Sequence, residues 1–177
     1  MASTIPRKSG DQTQPSPRWV FFYLSSSYGE FMPQITVLMG IPGSGKSYWA
    51  KSNRTENVYI ASTDPIRTQQ IDNFNGYINY LRRESLDQLN AGNSVIADAT
   101  HIDRSDRLWW LKAANSFDAT SRLVVIQASL KTCLSVQANR THPVPSGVVR
   151  KYHYRLEQQL PLIRKELWDE IIYINRS

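Results

Sequence analysis

Gly40-Ile41-Pro42-Gly43-Ser44-Gly45-Lys46-Ser47 fits the phosphate-binding pattern G-x-x-x-x-G-K-[ST] at every required position. Before it, Gln34-Ile35-Thr36-Val37-Leu38-Met39 reads as a buried strand; after it, Ser47-Tyr48-Trp49-Ala50-Lys51 can start a helix. Strand, loop and helix in that order are the context the pattern requires. The glycines let the backbone turn tightly and bring several N–H groups onto one point. The start of the helix adds unpaired N–H groups and partial positive charge. Lys46 is expected to reach the β- and γ-phosphates of a nucleotide, and the Ser47 hydroxyl to ligate Mg²⁺. The expected nucleotide-binding set runs from Gly40 through Tyr48. This stretch points to a nucleoside triphosphate, with ATP and Mg²⁺ as the expected pair, and leaves the phosphate acceptor open.

Working outward, the 177 residues suit one domain with a sizeable core. A hydrophobic fraction of 41% with 20% charged residues is ordinary for a soluble globular chain. No apolar run approaches the roughly 20 residues that span a bilayer, so no membrane association is expected. Cys133 is the single cysteine, which excludes a disulfide framework and suits a reducing, cytoplasmic compartment. It reads as a small buried apolar residue. His and Cys are too sparse for a structural zinc site. The net charge is +6, and no acidic residue stands between Asp118 and Glu157. That interval carries Arg122, Lys131, Arg140, Arg150, Lys151 and Arg155, a basic arc expected to favour a polyanionic partner.

Residues 1–33 differ from the rest. Met1 to Pro17 is rich in Ser, Thr, Gln and Pro and reads as a disordered tail. Trp19-Val20-Phe21-Phe22-Tyr23-Leu24 is apolar but too short for a signal-peptide core. Met32 sits just before the first strand, and a natural translation start there would make the tail dispensable. Residues 34–177 form the expected domain. Strands are expected at 34–39, 57–60, 94–97, 122–127 and 170–174. Between them fall a helix to about Ser52, one from about Tyr77 to Ala91, one from Asp103 to about Asn115, and one from Thr132 to Arg140. His142-Pro143-Val144-Pro145 is a break, Ser146 caps a helix to about Gln159, and Pro161 opens a further short one. Asp64-Pro65 is an N-cap followed by a first-turn proline, and Gly92 is a helix stop. Strands alternating with helices imply a parallel sheet of four to five strands, an α/β fold. Ligands in such sheets sit at the carboxyl ends of the strands, which singles out Asp64 and Asp98.

Several elements in register resemble the bacteriophage and bacterial polynucleotide 5′-kinases. These are residues 40–50, Asp64-Pro65-Ile66-Arg67, Val95-Ile96-Ala97-Asp98-Ala99-Thr100, and the stretch from Cys133 through Asn139-Arg140 to Val144-Pro145. Order and spacing agree over roughly residues 34–160. The resemblance implies a P-loop kinase fold with an α-helical lid, moving the ATP γ-phosphate to a 5′-hydroxyl of DNA or RNA. It implies Asp64 as general base, Arg67 gripping the acceptor's phosphate, and Arg140 closing from the lid on the transferring group. Asp98 would hold Mg²⁺-bound water or, with Thr100, contact the acceptor. Each of these residues also has a structural reading: Asp64 and Asp98 as helix or turn caps, Arg67 as a surface arginine, Arg140 as a cation at a helix C-terminus. The chain departs from the family at Tyr48, usually threonine, and at Thr100-His101, which replace an asparagine-containing version. Val136 and Gln137 stand where a further arginine is common. Small-metabolite and zeta-toxin-like kinases share parts of the pattern, and an ATP-binding switch without transferase activity also fits the loop. Trp109 and Trp110 suggest base stacking, but adjacent helical residues point about 100° apart, so at least one belongs to the core.

Overall fold

A computed structural model of the chain describes residues 32–65 and 73–176. The readings of the N-terminal tail up to Phe31, and of Arg67, lie outside the described residues. The elements are β1 (Gln34–Met39), α1 (Lys46–Ser52), β2 (Val58–Ser62), α2 (Phe74–Asn90), β3 (Ser94–Asp98), α3 (Arg104–Ser116), β4 (Thr120–Ala128), α4 (Leu130–Ala138), α5 (Ser146–Gln159), a 3₁₀ turn (Ile163–Lys165) and β5 (Glu170–Arg176).

The five strands form one parallel sheet in the order β2-β3-β1-β4-β5. β1 is central, and all of it beyond Gln34 is buried, as a strand covered on both faces must be. Its side chains alternate. Ile35, Val37 and Met39 join the larger cluster with Val95, Leu123 and Val125, together with helical residues such as Leu81, Leu89, Trp110, Cys133 and Leu156. Leu38 points to the opposite face with Ile96, Val124 and Ile126, where Ala50 of α1 covers it. The register brings Asp98 level with Leu38 on one side and Ser62 on the other. Every carboxyl end therefore opens at one rim, beside the loop that follows β1.

The element types agree with the expectation, but several ends shift. α2 starts at Phe74, because the Asn73 side chain accepts from the Gly76 N–H at 2.8 Å and caps it three residues early. α4 starts at Leu130 because the Ser129 hydroxyl accepts from the Thr132 N–H at 3.0 Å. It ends at Ala138, which leaves Arg140 two residues past the helix, with its N–H on the Gln137 carbonyl at 3.1 Å. Ser146 is the first residue of α5 and makes no cap; Pro145 takes the cap position. Asp103 does precede α3, but its side chain makes no cap bond and pairs with Arg155 instead. Asp64 and Pro65 are both helical, so Asp64 lies inside the turn that it was expected to cap. Gly92 takes a left-handed φ of 80° after α2, as a helix stop requires.

Candidate active site

The phosphate loop leaves β1 at Gly40, where a side chain would collide with the Ile126 carbonyl at 2.6 Å. Gly43 and Gly45 have φ of 92° and 99°, conformations that glycine alone adopts without strain. A Cβ at Gly43 would also stand 2.7 Å from the Cys133 carbonyl oxygen, so the loop lies directly against α4. Cys133 is fully buried there. Ile41 and Ser44 are buried, and Pro42 lies buried beside them. The Ser44 hydroxyl is buried and has no hydrogen-bond partner among the described residues. It packs against Gly40, where a Cβ would stand 2.7 Å from it.

Lys46 is buried and donates to the Ile41 carbonyl at 2.9 Å, so its ammonium curls into the loop. Burial pushes it down from the usual lysine value to about 8, against the opposing pull of Asp98 and Asp64, while Arg140 adds to the lowering. Ser47 donates to Asp64 Oδ2 at 3.3 Å. The Asp64 N–H in turn donates to the Ser62 hydroxyl at 3.2 Å, and that hydroxyl donates to Asp98 Oδ2 at 3.2 Å. Asp98 is 5% exposed. Burial raises its pKa, while the hydroxyl of Ser47 and the charge of Lys46 pull it back. Ser47, Asp64, Asp98 and Lys46 thus meet at the rim, as the strand-end rule leads one to expect. Tyr48 is 71% exposed on the outer side of α1.

Thr100 supports the loop with its backbone: its carbonyl accepts from the Gly40 N–H at 3.1 Å. His101 is buried, at a strained φ of 39°. The Trp110 indole N–H donates to His101 Nε2 at 3.0 Å, so the proton sits on Nδ1, which donates to the Leu38 carbonyl at 3.0 Å. His101 is therefore a brace under the end of β1 and does not face the cleft. Trp110 is core, and Trp109 stands edge-on to it with the Arg82 guanidinium 4.8 Å over its ring. The stacking platform is not there: one indole is buried and the other is covered by an arginine.

Burial drives the His101 pKa down to about 4 from the ordinary 6.5. The unfolded chain therefore takes up the proton first, and stability is lost as pH falls through that window. Linkage predicts a loss of about 2 kcal/mol between pH 7 and pH 5 from this one group. Urea midpoints of the native protein and of His101→Gln at the two pH values check it: the variant should lose less stability on acidification than the native chain.

One residue that no local pattern announced organises this region. Arg107 is fully buried in α3. Its guanidinium forks onto Glu166, with Nε 3.0 Å from Oε2 and Nη2 2.6 Å from Oε1. Its remaining donors go to the carbonyls of His101 (2.9 Å) and Ile102 (2.5 Å) and to Gln159 Oε1 (3.1 Å). Arg107 thereby ties the β3–α3 loop to the end of α5 and the 3₁₀ segment. The basic arc is less continuous than the sequence suggests, because Arg122 pairs with Glu170 and Arg155 with Asp103. Among the described residues no helix is long and apolar enough to cross a membrane.

A phosphate loop after a central parallel strand, with helices flanking a five-stranded parallel sheet, defines an α/β P-loop domain with a kinase-like fold. A family model described as an AAA domain matches residues 35–159, and the chain belongs to that family. No curated protein sequence matches it. Among solved structures, it is similar to a chain of the Pnkp1/Rnl/Hen1 RNA repair complex (TM-score 0.66, 18% identity, 78% of this chain and 48% of that one). It is also similar to a candidate kinase from Chloroflexus aurantiacus j-10-fl (TM-score 0.58, 16% identity, 81% and 88% covered). A third likeness is to the AvrRxo1-ORF1:-ORF2 complex solved with ATP (TM-score 0.61, 14% identity, 76% and 50% covered). The chain thus spans about half of the matched chain in the first and third of these.

Proposed function

We propose that residues 34–177 form an ATP-dependent polynucleotide kinase that transfers the γ-phosphate of ATP to a 5′-hydroxyl end of DNA or RNA. The observation that carries the reading is the Asp64 carboxylate, 3.3 Å from the Ser47 hydroxyl at the mouth of the phosphate loop. In that position a carboxylate reaches both the loop and any hydroxyl brought to the same rim. Lys46 and the backbone N–H groups of Gly43 and of Gly45 to Tyr48 hold the triphosphate. Asp64 orients the attacking hydroxyl and accepts its proton. Arg67 holds the acceptor's own phosphate, with Asp98 and Thr100 shaping that side, and Arg140 stabilises charge on the transferring group.

The hydroxyl of Ser47 and the carboxylate of Asp98 are hard oxygen donors in contact with each other, which fits Mg²⁺. When bound, the ion would neutralise charge on the phosphate oxygens.

A polynucleotide acceptor is supported by the spacing of Asp64, Arg67, Asp98 and Arg140, and by the likeness to a chain of an RNA repair complex. A small-metabolite kinase is the second reading, favoured by the pairing of Arg122 and Arg155 with carboxylates, which thins the basic arc. Labelled ATP offered to 5′-hydroxyl oligonucleotides and to a panel of small alcohols separates them. Oligonucleotide phosphorylation should fall steeply between about 50 and 200 mM salt, because each phosphate contact releases counterions. Label transfer to a small alcohol alone would remove the polynucleotide reading; ATP binding with no transfer to any acceptor would favour a switch.

A further inference from the structure

Arg176 is the last residue of β5, level with Ala128 at the end of β4. Its side chain crosses back over the phosphate loop. Nη1 lies 3.5 Å from the Ser44 carbonyl oxygen, and the guanidinium carbon sits 5.6 Å from the centre of the Tyr48 ring. A Cβ at Gly45 would stand 1.6 Å from Nη1, so this contact exists because position 45 is glycine. Among the described residues no carboxylate lies within ion-pairing distance of Arg176. The arginine is exposed, permanently charged, and held by an aromatic face and one long bond to a neutral carbonyl. Most of its five donors are left for another acceptor.

Two cations therefore approach one loop from different sides. Lys46 lies inside it, on the Ile41 carbonyl. Arg176 lies on its outer lip, where Gly45 leads into α1 and Tyr48. A polyphosphate seated on Lys46 would meet this second cation at the start of α1.

We propose that Arg176 is a second phosphate-binding cation of the donor site, which grips the polyphosphate from the outer lip of the loop while Tyr48 holds the guanidinium in place. The Nη and Nε donors form a planar fork that matches phosphate oxygens, as a lysine ammonium does not. The inference rests on the nucleotide-binding half of the proposed function and is independent of the acceptor.

The test uses the full chain and equilibrium displacement of a fluorescent ATP analogue by ATP and by inorganic tripolyphosphate. Arg176→Ala should weaken both ligands by the same roughly tenfold factor, with Arg176→Lys recovering part of the loss. Lys112→Ala, which removes an exposed charge on α3, should leave both unchanged. Affinities of Arg176→Ala within twofold of the native chain would overturn the proposal. So would a loss confined to ATP, which would put Arg176 on the ribose or base. A native chain that binds neither ligand would instead remove the nucleotide reading, and this inference with it.

Discussion

Asp64→Ala should lower phosphoryl transfer by about a thousandfold while ATP binding stays within roughly threefold of the native chain. The expectation follows from the different tasks at the rim. In the proposed site the triphosphate is held by backbone N–H groups and Lys46, none of which Asp64 supplies. The hydroxyl that attacks must lose a proton as the new bond forms, and a carboxylate beside Ser47 is positioned to take it. Asp64→Asn is the informative companion, because it keeps the shape and a hydrogen-bonding oxygen and removes the basicity. It should be nearly as inactive as the alanine variant. Single-turnover transfer from labelled ATP, alongside direct nucleotide titration, reads both quantities. Unchanged transfer in Asp64→Asn would refute its role as base, and lost ATP binding would make it a donor-site residue.

Arg107→Ala should destabilise the protein by about 4 kcal/mol, a large share of the 5–15 kcal/mol that holds a typical domain folded. The guanidinium is fully buried and Glu166 is its buried partner, so its loss leaves that carboxylate with only the Trp168 indole N–H at 3.0 Å and the Arg104 guanidinium at 4.0 Å, and takes a donor from three carbonyl or amide oxygens. Shortening the side chain also leaves a cavity. Most of the cost is the unpaired charge, which makes a second variant decisive. Arg107→Met combined with Glu166→Leu should recover a substantial part of the loss in urea-unfolding midpoint. A double variant no more stable than Arg107→Ala would show that the cost lies in the lost ties to His101 and Ile102. Because the His101 ring bonds the Leu38 carbonyl and the Thr100 carbonyl bonds Gly40, weakening this clasp should also loosen nucleotide binding.

The division between what the sequence discloses and what it hides follows from distance along the chain. The phosphate loop, Asp64 and Asp98 are legible because each belongs to a short local pattern at a strand end. The sheet is legible because β1, β3 and β4 are continuous apolar runs. Arg107 and Glu166 stand 59 positions apart, and Arg176 and Ser44 stand 132 apart, so nothing local marks either pair. His101 looks like a loop residue until Trp110 and Leu38 enclose it. Helix starts moved for a related reason. Asn73 and Ser129 were free to cap, whereas the carboxylate of Asp103 was drawn away to an arginine 52 residues distant.

The central position of β1 divides the labour of the domain. On one flank, β4 and β5 supply Ile126 behind Gly40 and Arg176 over Gly45, all on the nucleotide's side. On the other flank, β2 and β3 lead to Asp64 and Asp98, on the side assigned to the acceptor. The two flanks are nevertheless tied, because the Thr100 carbonyl beyond β3 holds Gly40 and Asp98 acts on Lys46, so a change at the β2–β3 edge is felt in the loop itself.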